Sequence, residues 1–265
     1  MAVETVSTVR RARHLLRTRV SEHPALYLPF ARHKYPGPSP EVIGRETELV
    51  LDGYTRSATT FAVYALQLSQ DRPVRLAHHL HAPAQLIEAA RRNIPALVLI
   101  REPKGAIISQ LIREPNVALP DALVAYARFY ACLLPHRASF VVGDFDDVTR
   151  DFGSVVRRLN ARFGTSFAEF EHTDANVREC FELIKERGTL SKTLLGFESG
   201  LVTRDELRRE RERLRRLTLR DAREAWIPSA GRDRSKAALG EQWMRPGLAR
   251  ARVRAELIYR AFRSD

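Results

Sequence analysis

Residues 48–68, ELVLDGYTRSATTFAVYALQL, constrain the fold more than any other part of the chain. Leu49-Val50-Leu51 is a short apolar run of the kind that makes a buried strand. A turn of mostly small and hydroxyl residues, Gly53 to Thr60, follows it. Apolar residues then recur at Phe61, Val63, Ala65, Leu66 and Leu68, as suits a helix packed back onto a sheet. Strand, tight turn and helix N-terminus in succession make an anion cradle. The first amide N–H groups of the helix lack an intrahelical partner, and the helix dipole favours negative charge there. Arg56 and the hydroxyls of Thr55, Ser57, Thr59 and Thr60 add side-chain donors. An ordinary strand-to-helix crossover has the same outline, so the residues brought to the turn must decide its use.

Further along, the same alternation repeats. Val74-Arg75-Leu76-Ala77 is a second strand, followed by His78-His79-Leu80-His81-Ala82-Pro83 and a helix that Pro83 starts and Asn93 closes. Ala96-Leu97-Val98-Leu99-Ile100 is continuously apolar, as a strand buried on both faces of a parallel sheet requires. It exits into Arg101-Glu102-Pro103-Lys104-Gly105 and a helix reaching Ser109 and beyond. A helix over Pro120–Leu134, a strand at Phe140-Val141-Val142 and a helix ended by Gly164 complete the pattern. Strands alternating with helices predict an α/β fold, a parallel central sheet flanked by helices. In such a sheet, ligands bind at the carboxyl ends of the strands, which would draw the Thr55–Thr60 turn, the histidines and Arg101 together.

Outside this core the patterns are thinner. Residues from Val6 to Val20 predict a basic amphipathic helix, either docked on its own domain or resting on an anionic membrane. Pro24 to Pro40 reads as an extended connector. Thr203 to Trp226 reads as a charged helix with acid-first pairs Asp205–Arg209 and Glu212–Arg216, either solvated or serving as a lid or dimer contact. Ile227 to Lys236 reads as a basic loop, and Leu248 to Phe262 as a last basic helix. The expected organisation is one domain: an N-terminal helix and connector over 1–45, an α/β core over 46–170, and a helical part over 171–265.

The 44 Lys and Arg exceed the 32 Asp and Glu, a net charge of +12 that suits an anionic partner. No nucleic-acid-binding module is recognisable. No apolar run approaches a membrane span or a secretory signal, and Cys132 and Cys180 stand apart without metal spacing. These features lead to the expectation of a cytoplasmic protein. Three close histidines invite a zinc reading, but no neighbouring carboxylate or cysteine completes a ligand set, so no metal is expected.

The turn is not a Walker A loop. Counting from Gly53, Ala58 and Thr59 occupy the places of the second glycine and the lysine, so the charge clamp of ATP-type phosphoryl transfer is missing. Arg56-Ser57-Ala58-Thr59-Thr60 instead resembles the 5′-phosphosulfate loop, [KR]-S-G-[TS]-[TS], of sulfotransferases that use 3′-phosphoadenosine 5′-phosphosulfate. Ala58 replaces the glycine and is free of strain only at negative φ. Leu99 to Ser109 is similar to that family's 3′-phosphate segment, with Gly105 where an acid is usual.

The resemblance implies a P-loop-like sulfotransferase architecture with extra C-terminal helices. It implies a phosphosulfate donor held by Thr55, Arg56, Ser57, Ala58, Thr59 and Thr60, with Arg101 and Ser109 on the 3′-phosphate. It also implies a general-base histidine: His81 when aligned on Pro83, His79 when aligned on His-Leu, with Arg56 steadying the leaving phosphate. By position and charge, Arg232 and Lys236 fall where the family carries a basic nucleotide loop. The acceptor, whether small molecule, glycan or lipid, is not fixed. A degenerate P-loop kinase and a non-catalytic nucleotide-binding protein remain as alternatives, and dimerisation stays open.

Overall fold

A computed structural model describes residues 8–34, 42–187, 191–217 and 230–264. The centre is a four-stranded, wholly parallel sheet. Its strands are β1 (Leu49–Gly53), β2 (Leu76–His78), β3 (Ala96–Ile100) and β4 (Val141–Asp144), and every residue in them is buried. The order is β2-β1-β3-β4, with Leu51 opposite His78, Gly53 opposite Leu99 and Ile100 opposite Asp144. This register brings the carboxyl ends of all four strands to one edge. At Gly53 a Cβ would lie 2.2 Å from the Leu99 carbonyl oxygen, so the chain leaves β1 at a place only glycine fits.

Period-two alternation divides the strands between two cores. Val50, Ala77, Val98 and Ile100 face one side. There they pack with α1 (Thr8–Val20) at its end, α2 (Pro24–Lys34), α4 (Pro83–Arg91), α5 (Pro103–Arg113) and α6 (Leu119–Ala131). Leu49, Leu51, Leu97 and Leu99 face the other side, against α3 (Thr59–Ser69), α7 (Phe145–Arg150) and α8 (Phe152–Phe163). The later helices join both layers. α9 (Asp174–Glu186), α10 (Ser191–Glu198) and α11 (Arg204–Leu217) add Cys180, Leu194, Phe197 and Leu207 to the α3 side. α12 (Ala230–Trp243) packs on α5, and α13 (Ala249–Arg263) packs on α6.

Several segments differ from the sequence expectation. The Pro24–Pro40 connector is helical as far as Lys34, with Pro29 inside the helix, and residues 35–41 lie outside those described. Burial of Tyr27, Leu28 and Ala31 outweighs the hydrogen bond that Pro29 cannot donate. The second strand lies one to two residues later than expected and includes His78. The helix expected over Pro120–Leu134 stops at Ala131, and a 3₁₀ turn covers Leu134–Ser139. The helix expected after β4 is two, parted at Asp151, whose carboxylate caps α8 at Ser154 N.

From Ala230 the expected basic loop is helical, anchored at its far end by buried Trp243. In α11, Asp205 pairs with Arg208 rather than Arg209, and the Arg216 side chain and residues 218–229 lie outside the described set. Arg211 reaches α9 instead, meeting Glu186 at 2.7 Å and Glu182 at 3.2 Å, so one face of α11 is docked by charge. Among the described residues, no helix is long and apolar enough to cross a membrane.

Candidate functional site

The loop from Gly53 to α3 joins the end of β1 to a helix whose N-cap, Ala58, makes no side-chain cap bond. Ala58 has φ 68° and Arg56 has φ 70°, both left-handed. Ala58 therefore does not meet the condition of negative φ that would spare it strain: the methyl group stands where glycine would be unstrained, at a cost of about 1–2 kcal/mol. Of the five non-glycine residues with positive φ among those described, four are Arg56, Ala58, His79 and His81. Strain gathered so locally marks a backbone held by its surroundings, as at ligand clamps. Inside the loop, Ser57 Oγ and Thr59 Oγ1 are buried and neither has a partner in good hydrogen-bond geometry, with the Tyr130 hydroxyl close to Ser57. An unsatisfied buried hydroxyl costs about 1–3 kcal/mol, so two beside the free amides of a helix N-terminus form a site ready for an anion.

The two nominated histidines have different surroundings. His79 has both ring nitrogens engaged, Nε2 with Thr60 Oγ1 at 2.9 Å and Nδ1 with His78 Nδ1 at 2.6 Å. Burial, then the neighbouring His78 and Arg187, push its pKa well below the usual imidazole value. His78, wholly buried, shares its Nε2 with Ser199 Oγ at 3.2 Å, and burial lowers its pKa to about 3.

His81 is held otherwise. Its Nδ1 lies 2.8 Å from the Gly53 carbonyl, which can only accept, and 3.3 Å from Asp52 Oδ1. The proton of the neutral ring is thereby assigned to Nδ1, which leaves the Nε2 lone pair for chemistry. Burial lowers the His81 pKa, but the hydrogen bond to Asp52 and its charge outweigh burial, and the net shift is upward. Asp52, fully buried at the end of β1, also accepts from the His81 amide at 3.0 Å. It fixes both the backbone and the ring of His81. Sequence reasoning overlooked Asp52, although a lone carboxylate after an apolar strand run was a visible signal.

Arg101 leaves the end of β3 half-buried, its guanidinium 3.9 Å above the Phe145 ring and 3.4 Å from the Arg56 carbonyl. Gly105 explains itself here. A Cβ at that position would lie 2.2 Å from Glu102 Oε1 and 2.9 Å from Arg101 Nε, so an acid there would displace the arginine. Ser109, buried on α5, accepts from Arg56 Nε at 2.9 Å. The loop and the Arg101–Ser109 segment therefore meet through Arg56. Lys236 is exposed on α12 and paired with Asp233 at 3.3 Å, and the Arg232 side chain lies outside the described set. Helix α12 packs on α5, but no described contact joins Lys236 to the loop.

A small cleft opens beside His81, lined by Thr55, Tyr54 and Phe129 and by His14, Arg17 and Thr18 of α1. His14 has a buried Nε2 without a partner, and burial lowers its pKa. Tyr126 and Tyr130, on α6 near the cleft, are core residues. Their hydroxyls donate to the Arg101 and Leu99 carbonyls at 2.6 and 2.8 Å, and ring packing keeps them out of the cleft.

The expectation that nothing completes a metal set also needs correction. Glu198, from α10, brings a carboxylate oxygen within 4.8 Å of ligand nitrogens of His78 and His79. These three residues could hold a divalent ion. In this structure Glu198 is already gripped by Arg187, at 2.8 and 2.9 Å, and by Tyr64 at 2.5 Å. A carboxylate more than a hundred positions away gives no spacing signal in sequence.

No family model and no curated protein sequence matches this chain. Among solved structures, mouse sulfotransferase SULT7A1 complexed with PAP is similar over 83% of this chain and 92% of that one, at 13% identity and a TM-score of 0.39. A likeness that distant carries no argument about activity or ligand.

Proposed function

We propose that this protein is a sulfotransferase that moves a sulfuryl group from 3′-phosphoadenosine 5′-phosphosulfate to an acceptor hydroxyl or amine. The observation that carries the reading is the pair of buried hydroxyls without a well-placed partner, Ser57 and Thr59, at a strained helix N-terminus reached by Arg56. The resemblance of Arg56–Thr60 and of Leu99–Ser109 to the two nucleotide segments of such enzymes supports it.

In this scheme the 5′-phosphosulfate lies on the loop, with the amides of Ala58, Thr59 and Thr60 and the hydroxyls of Ser57 and Thr59 as donors. Thr55 borders both loop and cleft. Arg101 and Ser109 hold the 3′-phosphate, for which a guanidinium fork is well shaped. The acceptor sits in the cleft beside His81. Its oxygen attacks sulfur, the bond from sulfur to the bridging phosphate oxygen breaks, and 3′,5′-bisphosphoadenosine leaves. The acceptor proton passes to His81 Nε2, and Arg56 offsets charge growing on the departing phosphate. His79 is a positioning residue that orients the Thr60 hydroxyl. Arg232 and Lys236 would add positive charge from α12, and no step is routed through a metal.

The test is turnover of the purified chain with the phosphosulfate donor and a panel of hydroxyl and amine acceptors, alongside donor affinity. Expected are micromolar-range binding of 3′,5′-bisphosphoadenosine and sulfated product. Turnover with ATP and magnesium but not with phosphosulfate would replace this reading with a kinase. Binding without turnover across the panel would favour a nucleotide-binding protein.

A further inference from the structure

Two helices hold most of the excess charge. α1 has five arginines and no acid, and α13 has five arginines and one glutamate, together +9 of the net +12. Both pack on α6, in the helical layer over one face of the sheet. Arg13, Arg19, Arg250 and Arg254 are exposed and make no ion pair among the described residues.

The exposed sides of these helices are not simply polar. Val9, Arg13 and Leu16 form one stripe along α1, opposite the side that carries His14 and Thr18 to the cleft. Arg250, Val253, Arg254 and Leu257 form a matching stripe on α13, opposite its buried Ala255 and Phe262. On neighbouring α2, Leu26 and Phe30 are one turn apart and exposed, close to His33 and Lys34. Val9, Leu16, Leu26, Phe30, Val253 and Leu257 are each more than half exposed. Single apolar residues at a surface need no explanation, but alternation with unpaired arginines on two helices of one layer, beside an exposed apolar pair on a third, does.

We propose that this layer docks on an anionic lipid bilayer. A bilayer interface satisfies both components at once: the guanidinium groups meet the lipid phosphates, and the apolar side chains enter the acyl boundary. A phosphodiester polymer would take the arginines and leave six apolar side chains in water. A second copy would set like charge against like charge. Docking in this pose places α1, one wall of the cleft, against the lipid surface.

Flotation of the full chain with vesicles tests the proposal. Vesicles of phosphatidylcholine mixed with phosphatidylglycerol should carry the protein, and pure phosphatidylcholine vesicles should not. Replacing Arg13, Arg19, Arg250 or Arg254 singly by Gln should lower partitioning about fivefold each, the worth of one basic side chain near an anionic surface. Replacing Leu16 and Leu257 together by Ser should weaken vesicle binding while leaving retention on heparin, a polyanion without an apolar interior, unchanged. Failure to float with anionic vesicles at low salt overturns the proposal. So does equal loss of heparin and vesicle binding in the Leu16→Ser, Leu257→Ser variant, or no loss of either. These readouts require no turnover, so they stand or fall separately from the enzymatic reading.

Discussion

A methyl group at position 58 sits on a backbone that prefers none. Ala58→Gly keeps the loop path and removes the left-handed penalty, so denaturant unfolding should show a gain of about 1 kcal/mol. Ala58→Val adds β-branching at φ 68° and should lose stability together with donor affinity. His81→Ala should reduce turnover about 10²–10⁴-fold, the range for a general base, with 3′,5′-bisphosphoadenosine affinity retained. Since a base must be unprotonated and the His81 pKa is raised, the rate should fall as pH drops through a value above 6.5. Asp52→Asn removes the charge that, with the hydrogen bond to the same carboxylate, does most to raise it, so this limb of the pH–rate profile should move to lower pH while the maximum falls. An unmoved limb would show that another group is the base. Arg101→Ala should weaken 3′,5′-bisphosphoadenosine about tenfold or more, the worth of a charge-assisted hydrogen bond, measured by calorimetry.

The strands and the helices that cover them were legible because burial on both faces leaves continuous apolar runs, as at Ala96–Ile100. Positions at strand ends were legible for the same reason, which is why the turn, the histidines and Arg101 fall at one edge. The helix at Pro24 was missed because proline speaks of local backbone cost, whereas burial of Tyr27 and Leu28 is set by distant α4. The basic segment at Gly231 was read as a loop because glycine and charge are loop signals, and the Trp243 anchor lies a dozen residues on. The choice between His79 and His81 depended on hydrogen bonds to Thr60, Gly53 and Asp52, none of which is encoded by spacing. Glu198 was invisible for a related reason: contact between α10 and α3 is a tertiary fact.

Across the whole molecule, acid should be the most damaging condition. His78 and His79 are kept neutral by burial, with folded pKa values below 6.5 and about 3 for His78. The unfolded chain takes up these protons first, so their contribution is complete above pH 6.5 and is lost as pH falls toward the folded values. Each costs about 1.4 kcal/mol per pH unit in that window. His81 has the opposite sign, contributing below 6.5 and losing that contribution as pH rises through its raised value, so it does not flatten the acid limb. Urea unfolding at successive pH values should show the slope, and His78→Asn should reduce it. The same histidines form a row from the Gly53–Thr60 loop to the far helices: Thr60 to His79, His79 to His78, and His78 to Ser199, just beyond α10. A nucleotide that orders Thr60 should slow amide exchange at Phe197–Ser199 if this row couples the two ends, and unchanged exchange there would show that it does not.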